Sequence, residues 1–384
     1  MCDVVIVGAG LAGAVSARKL AEMQKKVLVL EKRDTIAGNA YDCLDENGVR
    51  IHVYGPHIFH TNHQGVYEFL CRFCNMVPYE HRVLGRIDSK LVPIPFNFQS
   101  LEILLPEKAD DLKQRLLTAF PNTSKISILT LLDHSDKELK KLGEFIFEKV
   151  FVHYTAKQWG IPISEVDTSV INRVPVVLGY DDRYFQDTYQ CMPENGYTEL
   201  IREMLNHPNI TVELSCDATK RLCVNESNQI LFDGNTWEKP VIYTGAIDEL
   251  FSYRYGSLPY RSLRFSFESF EQDYFQAAAV VNYPNEEDFT RITEFKHFTG
   301  LRPEGSTTIV KEYPLMYDKT NPEADIPYYP IDQLENKKLY RRYLEDVECC
   351  SQLYLCGRLA EYRYYNMDAV VESALRLVEK IKKG

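Results

Sequence analysis

No apolar run among the 384 residues approaches the roughly 20 needed to cross a bilayer, so a membrane-spanning reading fails at the outset. Positive charge is not in surplus either. The 44 lysines and arginines face 55 aspartates and glutamates, a formal net charge of −11. No basic stretch offsets it, since Lys380, Lys382 and Lys383 only close the last helical pattern. A nucleic-acid partner is not expected, because its phosphates would be repelled. There is no internal repeat, no low-complexity tract and no signal-peptide pattern ahead of the strand that starts at residue 3. A cysteine framework is also lacking. The ten cysteines are irregularly spaced, and a chain of this length needs no disulfide staples. Cys71 and Cys74 form a CxxC, but in a helical pattern beside Tyr67, Phe69 and Leu70, which reads as a pair of ordinary buried thiols. These absences leave a cytoplasmic, globular protein. Its 45% hydrophobic and 12% aromatic content, with 25 tyrosines, suits an enzyme of two or three domains.

The first 31 residues carry the strongest pattern. Val4-Val5-Ile6-Val7 is a β-branched run suited to a buried parallel strand, and Gly8-Ala9-Gly10-Leu11-Ala12-Gly13 follows at once. A helix with Ala17, Leu20 and Ala21 on its apolar side leads to a second strand, Val27-Leu28-Val29-Leu30, that ends in Glu31. Gly8 permits the tight turn, Gly10 lets a pyrophosphate approach the backbone, and Gly13 lets helix and strand pack closely. The helix N-terminus offers N–H groups to phosphate, and Glu31 can accept the hydrogen bonds of a ribose diol. This is a dinucleotide site. A second glycine, Gly38, lies seven residues beyond the acid and is followed by Asn39, after Glu31-Lys32-Arg33-Asp34. That arrangement resembles the glutathione-reductase-like FAD proteins, in which such a stretch lies along the cofactor's phosphate and ribityl region.

Further on, Asn47-Gly48 marks a hairpin. Gly55-Pro56-His57-Ile58-Phe59-His60-Thr61 reads as an irregular loop. With His63 the spacing is HxxHxxH, which raises a metal site; no cysteine or carboxylate falls in step, and a cofactor-facing loop is the better reading. Between about 100 and 161 the period becomes helical. Ser135 to Glu138 reads as a capping box opening one long helix, with Leu139, Leu142, Phe145, Ile146, Lys149, Val150 and His153 on a single stripe. From Tyr180 short aromatic strands predominate, and strand-then-glycine recurs at Gly357 with Asp368 as cap of the final helix. The expected architecture is α/β: a Rossmann-like FAD-binding domain with an inserted helical bundle and an antiparallel β-sheet domain. We assign 1–78, 205–250 and 350–384 to the first, 100–178 to the second, and 79–99, 179–204 and 251–349 to the third.

Three stretches bring cationic and aromatic residues together: Tyr154 to Gly160, with Lys157 between Tyr154 and Trp159, and Asn172 to Phe185 and Gly357 to Asp368, where arginine alternates with tyrosine. Guanidinium forks neutralise a diphosphate, phenols donate hydrogen bonds to it without adding charge, and Tyr154 or Trp159 can stack a base. No Ser/His/Asp triad or carboxylate pair stands out. Taken together, GPHIFHT at 55–61, YTAKQWG at 154–160, YDDRYF at 180–185, the stretch from Asp325 to Pro330 and the GR…YRYYNMD end resemble the bacterial UDP-galactopyranose mutase family over nearly the whole chain.

That resemblance implies FAD, active when reduced, whose N5 attacks the anomeric carbon of a UDP-sugar and displaces UDP. A flavin–sugar iminium then lets the ring reclose through O4, with no net redox change. It implies catalytic roles for Arg173 on a mobile loop, Arg291 and His60. Substrate would be held by Tyr154, Thr155, Trp159, Tyr184, Asn282, Tyr329, Arg358, Tyr364 and Asn366, the last standing where the family often has Asp. The cofactor would be held by Gly8, Gly10, Leu11, Gly13, Glu31, Lys32, Gly38, Asn39, His57, Gly357, Arg358 and Met367, with no metal. It also implies an external reductant such as NAD(P)H, a homodimer and a role in galactofuranose supply to cell-surface polysaccharide. UDP-GalNAc, UDP-arabinopyranose or a dTDP-6-deoxyhexose are alternative substrates. An FAD-dependent amine or polyol oxidoreductase, or a non-enzymatic flavin sensor, are alternative functions.

Overall fold

The computed structural model describes residues 2–160, 174–298, 303–331 and 333–383. Val4–Val7 is the middle strand of a five-stranded sheet, in the order Ile210–Glu213, Val27–Leu30, Val4–Val7, Val241–Tyr243, Leu353–Leu355. Every pair in it is parallel. Both faces are covered, as the unbroken β-branched run demands. One face packs helices Leu11–Glu22, Tyr197–Leu205 and Met367–Lys383 through Ala14, Ala17, Ile201 and Val371. The other packs Leu334–Cys349 through Tyr343, and a small antiparallel sheet through Leu222, Ile230 and Phe232. Two helices assigned by sequence to the antiparallel part, Tyr197–Leu205 and Leu334–Cys349, therefore pack on the nucleotide sheet. Each directly precedes one of its strands, so each serves as a crossover.

The second large sheet has seven strands, ordered Tyr329–Pro330, Tyr260–Phe270, Thr307–Met316, Arg291–Glu294, Val280–Asn282, Val83–Ile87, Lys90–Ile94. It is antiparallel except where Val280–Asn282 runs parallel to Val83–Ile87. A three-stranded sheet places Phe59–Thr61 and Met76–Pro78 on either side of Tyr189–Pro193.

The helical segment builds its own core from Leu112, Leu116, Leu131, Leu139, Leu142 and Ile146. Its long helix differs from expectation at both ends. The N-cap is Asp136, not Ser135: its carboxylate accepts the N–H groups of Glu138 and Leu139, which a single hydroxyl could not do as well. The stripe also breaks, because Lys137–Ile146 passes into a π turn, Phe147–Val152, before resuming as His153–Trp159. The wider turn shifts the helix phase, so Phe151 is buried while His153, the last residue of the expected stripe, is exposed. The final helix begins at Met367, which puts Asp368 in its first turn rather than at its cap. Cys71 ends its helix and is exposed; Cys74 lies beyond it, with its thiol donating to Met76 Sδ at 3.3 Å.

Candidate active site

At the end of the first strand Gly8 takes φ +98° and donates its N–H to Leu30 O at 2.8 Å. A Cβ on Gly8 would meet Thr244 Oγ1 at 2.2 Å, and one on Gly13 would meet Gly8 O at 1.9 Å. Gly10 caps the helix Leu11–Glu22 without any side-chain hydrogen bond, so the first-turn N–H groups stay available to an anion. Gly38, at φ +55°, lies against Gly10: its Cβ would stand 3.1 Å from Gly10 Cα. Ala37 N–H donates to Ala9 O at 3.0 Å, tying the two glycine stretches together. Glu31 is buried beside them, one oxygen accepting Ala9 N–H at 2.7 Å and the other Arg33 N–H at 2.9 Å. Arg33 lies over the Tyr54 ring at 4.1 Å and donates to Asn39 Oδ1 at 2.8 Å. Lys32 is exposed. Gly357, at φ +98°, follows the strand Leu353–Leu355, and its N–H donates to Glu361 Oε2 at 2.8 Å.

Asn39, Arg358 and Met367 carry this region into a cleft of about 500 Å³. The cleft is bounded by the loop of His57 and His60, by the helix of Tyr154, Thr155 and Gln158, and by the seven-stranded sheet. Strand register builds the sheet wall. Gly85 pairs with Asn282, Asn282 with Arg291, and Arg291 with Glu312, so four strands present one row on one face. Gly85 leaves that row open, and Asn282 and Arg291 line the cleft. Arg291 Nε donates to Glu312 Oε1 at 2.6 Å, with the Glu312 side chain only 1% exposed. Burial opposes charge on Arg291, but the Glu312 carboxylate outweighs it and holds the guanidinium's pKa above its ordinary value. Arg358 is fixed by donating from Nε to Tyr365 O at 2.7 Å, and lies over the Tyr364 ring at 5.0 Å. Tyr329 meets Tyr364 at 5.3 Å; burial, then the neighbouring Tyr364, pushes the Tyr329 phenol up to about 12, so it is a donor at neutral pH.

Lys157 staples the wall to the helix, its ammonium donating to the carbonyls of Tyr283, Glu287 and Phe289 at 2.8, 2.5 and 3.3 Å. These carbonyls lie in the loop that joins Asn282 to Arg291. Tyr184 and Tyr154 also line the cleft, and burial raises the Tyr154 phenol's pKa.

Asn282 Oδ1, Tyr328 OH, Arg33 Nη1 and Glu312 Oε2 are buried without a hydrogen-bond partner among the described residues. Unpaired buried polar atoms are costly, and a polar ligand in the cleft would relieve Asn282 and Tyr328, which line it. A glycine cradle at a helix N-terminus, a buried acid and an aromatic cleft fit a dinucleotide with a planar ring, as a flavin has.

Of the residues named from sequence, the cleft brings together Asn39, His57, His60, Tyr154, Thr155, Tyr184 and Asn282. Arg291, Tyr329, Arg358, Tyr364, Asn366 and Met367 complete that set. Gly8, Gly10, Leu11, Gly13, Glu31, Gly38 and Gly357 form the adjoining nucleotide end. Arg173 lies outside the described residues, and Trp159 is on the helix His153–Trp159 with its side chain undescribed. Two arginines of the interleaved stretches turn elsewhere: Arg183 pairs with Asp181 at 2.8 Å, and Arg363 is exposed. His57, His60 and His63 do not converge. His57 Nδ1 bonds Gly55 O at 2.8 Å, His60 Nδ1 faces Asp187 at 2.7 Å, and His63 Nε2 lies 3.9 Å from Glu372. His81, Gln158, Phe185 and Tyr328 line the cleft without having been singled out. Tyr328 and Phe185 lay inside stretches already noted, whereas His81 sat in a strand-like run with nothing to mark it.

A family model described as UDP-galactopyranose mutase matches residues 149–364, and one for an NAD(P)-binding Rossmann-like domain matches residues 6–73. The chain is 37% identical to a UDP-galactopyranose mutase of Mycoplasma pneumoniae over 99% of this chain and 96% of that protein. It is 34% identical to a dTDP-fucopyranose mutase of Escherichia coli, over 99% and 98% respectively. The fold matches a crystal structure of reduced UDP-galactopyranose mutase with a TM-score of 0.74 at 17% identity, covering 100% of this chain and 94% of that one. A family model over more than half of the chain, together with relatives above 30% identity that align along nearly all of it, shows that the chain belongs to the UDP-galactopyranose mutase family.

Proposed function

We propose that this chain interconverts UDP-galactopyranose and UDP-galactofuranose, with FAD as its flavin. The observation that carries the reading is the register-built pair of Asn282 and Arg291, the latter held by buried Glu312, facing a cleft that also holds Arg358 and adjoins the glycine cradle. Reduced flavin would supply an electron-rich nitrogen nucleophile for the anomeric carbon. Arg291, kept charged by Glu312, and Arg358 neutralise the departing diphosphate. Tyr329, Tyr364 and Tyr184 donate phenol hydrogen bonds to its oxygens, and Tyr154 with Thr155 receives the base and ribose. Arg173, by family resemblance, adds a second cation over the phosphates. Gly8, Gly10, Gly13 and Gly38 receive the FAD pyrophosphate, and Glu31 the ribose. We extend the same reading to an external reductant such as NAD(P)H, a homodimer, a cytoplasmic location and the three-part division into FAD, helical and sheet domains.

A second substrate, a dTDP-6-deoxyhexose, is favoured by one observation: the dTDP-fucopyranose mutase is 34% identical and aligns as completely as the UDP-galactopyranose mutases do. Chromatography of UDP-galactopyranose, UDP-GalNAc, UDP-arabinopyranose and dTDP-fucopyranose incubated anaerobically with dithionite-reduced protein tests both. The expected result is a furanose product from UDP-galactopyranose with the flavin still reduced. Reaction only with the dTDP-sugar would transfer the reading to it. Bleaching of oxidised flavin by substrate alone would replace it with an oxidase.

A further inference from the structure

Three histidines line the cleft, and they are held in different ways. His57 Nδ1 is bonded to the carbonyl of Gly55 at 2.8 Å, and His81 is buried with Nδ1 3.3 Å from Tyr79 OH. His60 meets a carboxylate, its Nδ1 lying 2.7 Å from Asp187 Oδ2. The other oxygen of Asp187 accepts Asn62 Nδ2–H at 2.5 Å. Asn62 Oδ1 in turn accepts the backbone N–H of Thr188 at 2.9 Å and its hydroxyl at 3.1 Å. The two segments are kept side by side by the antiparallel pairing of His60 with Gln190 and Thr61 with Tyr189. Phe185 stacks on the imidazole at 3.6 Å and 14°. Thus the ring is fixed in plane, in rotation and in tautomer. A carboxylate at Nδ1 keeps the proton on that nitrogen, so Nε2 is the site of exchange. Nε2 takes no hydrogen bond among the described residues, while the side chain borders the cleft.

We propose that Asp187 is the positioning residue of His60, and that the pair relays one proton between the two sugar oxygens that exchange places in the ring. The inference rests on the isomerase reading above. Conversion of a six-membered to a five-membered sugar ring breaks C1–O5 and forms C1–O4. The C1–O5 electron pair goes to O5, which must gain a proton; O4 attacks and must lose one. His60 as imidazolium, stabilised by Asp187, gives the Nε2 proton to O5 and regains one from O4. No electrons are gained or lost, and the reverse reaction uses the same relay with the oxygens exchanged. A positioned acid–base group of this kind contributes roughly 10²–10⁴-fold.

The test uses the reduced holoenzyme of the wild type, Asp187→Asn, His60→Gln and the double variant. Asp187→Asn should lower kcat by roughly 10²-fold, with KM and the affinity for UDP changed less than about threefold. The double variant should be no slower than His60→Gln alone. In ¹⁵N-edited NMR of the wild type, His60 should show a protonated Nδ1 whose signal is lost or moved in Asp187→Asn. Near-normal kcat in Asp187→Asn, or a parallel loss of UDP binding, overturns the relay while leaving the isomerase reading intact. A wild-type His60 without an Nδ1 proton overturns the pairing, whatever the substrate. If the wild type isomerises no nucleotide sugar, the functional reading falls and the relay with it.

Discussion

The two ends of the cleft are built on opposite plans. At the nucleotide end the main chain makes most of the surface, and apart from Glu31 side chains matter by being absent. Gly8, Gly10, Gly13 and Gly38 occupy positions where a Cβ would strike backbone or a neighbouring side chain, or close off the helix N-terminus. At the sheet end the backbone is only scaffolding. There the proposed chemistry lies in Asn282, Arg291 and Glu312, brought into one row by two strand pairings. A backbone site tolerates little change in shape but is indifferent to charge; a side-chain site tolerates repacking but depends on each charge keeping its partner. The two ends should therefore fail in different ways.

The largest failure is expected at the glycines. Gly13→Val places atoms where a Cβ would already lie 1.9 Å from Gly8 O, and should yield protein essentially without flavin, judged by visible absorbance and by a lowered thermal midpoint. Gly10→Ala sharpens the point, because its Cβ would have no neighbour closer than 3.7 Å. It should leave the thermal midpoint of the flavin-free protein nearly unchanged and still weaken flavin retention. Equal thermal loss in both variants would break the distinction.

Next in size, Arg291→Ala should lower turnover by roughly 10²-fold or more with flavin content unaltered. Loss of flavin in step with turnover would mean that the row serves the fold rather than the reaction.

A smaller effect is set by acid and belongs to neither end alone. His52 accepts the N–H of His57 at Nδ1 at 3.0 Å, His81 lines the cleft, and both rings pack against Phe298. Burial lowers each to about 3, so both are neutral in the folded protein and take up a proton on unfolding below pH 6.5. Their contribution is complete above pH 6.5 and is lost as pH falls towards 3. Each steepens the decline by about 1.4 kcal/mol per pH unit, a factor of ten in the folding equilibrium. Burial lowers His57 to about 3 as well, so urea unfolding from pH 7 to 4 should show this limb, and His52→Gln or His81→Gln should each remove about a third of it. A slope untouched by either substitution would place the acid sensitivity elsewhere.

The contrast also explains what could be read in advance. The glycine cradle is local: strand, turn, helix and second strand occupy 31 consecutive residues, and each needs a residue type that its neighbours reveal. The row is not local. Nothing in the order of residues says that Asn282 pairs with Arg291 or Arg291 with Glu312; Asn282 and Arg291 were identified by likeness to a family rather than by pattern, and Glu312 was not identified at all. Asp187 is hidden for the same reason, since its bond to His60 spans 127 positions and depends on the pairing of Phe59–Thr61 with Tyr189–Pro193. Arg183 and Arg363 show the converse: alternation with tyrosine marked them as ligand groups, yet a neighbouring Asp181 claims one and solvent the other.

The π turn at Phe147–Val152 has a consequence for how this scaffold can change. Six residues there hold what an α-helix would set in a tighter winding, and Tyr154 and Thr155 point into the cleft only because of that offset. Loss of a single residue from the turn would let the segment relax to ordinary winding with every later side chain kept in place, whereas straightening the turn at its present length would swing each of them by about 100°. The scaffold can therefore shed one residue here without turning Tyr154 and Thr155 from the cleft, whereas a change that abolishes the turn without shortening the chain would turn both away at a stroke.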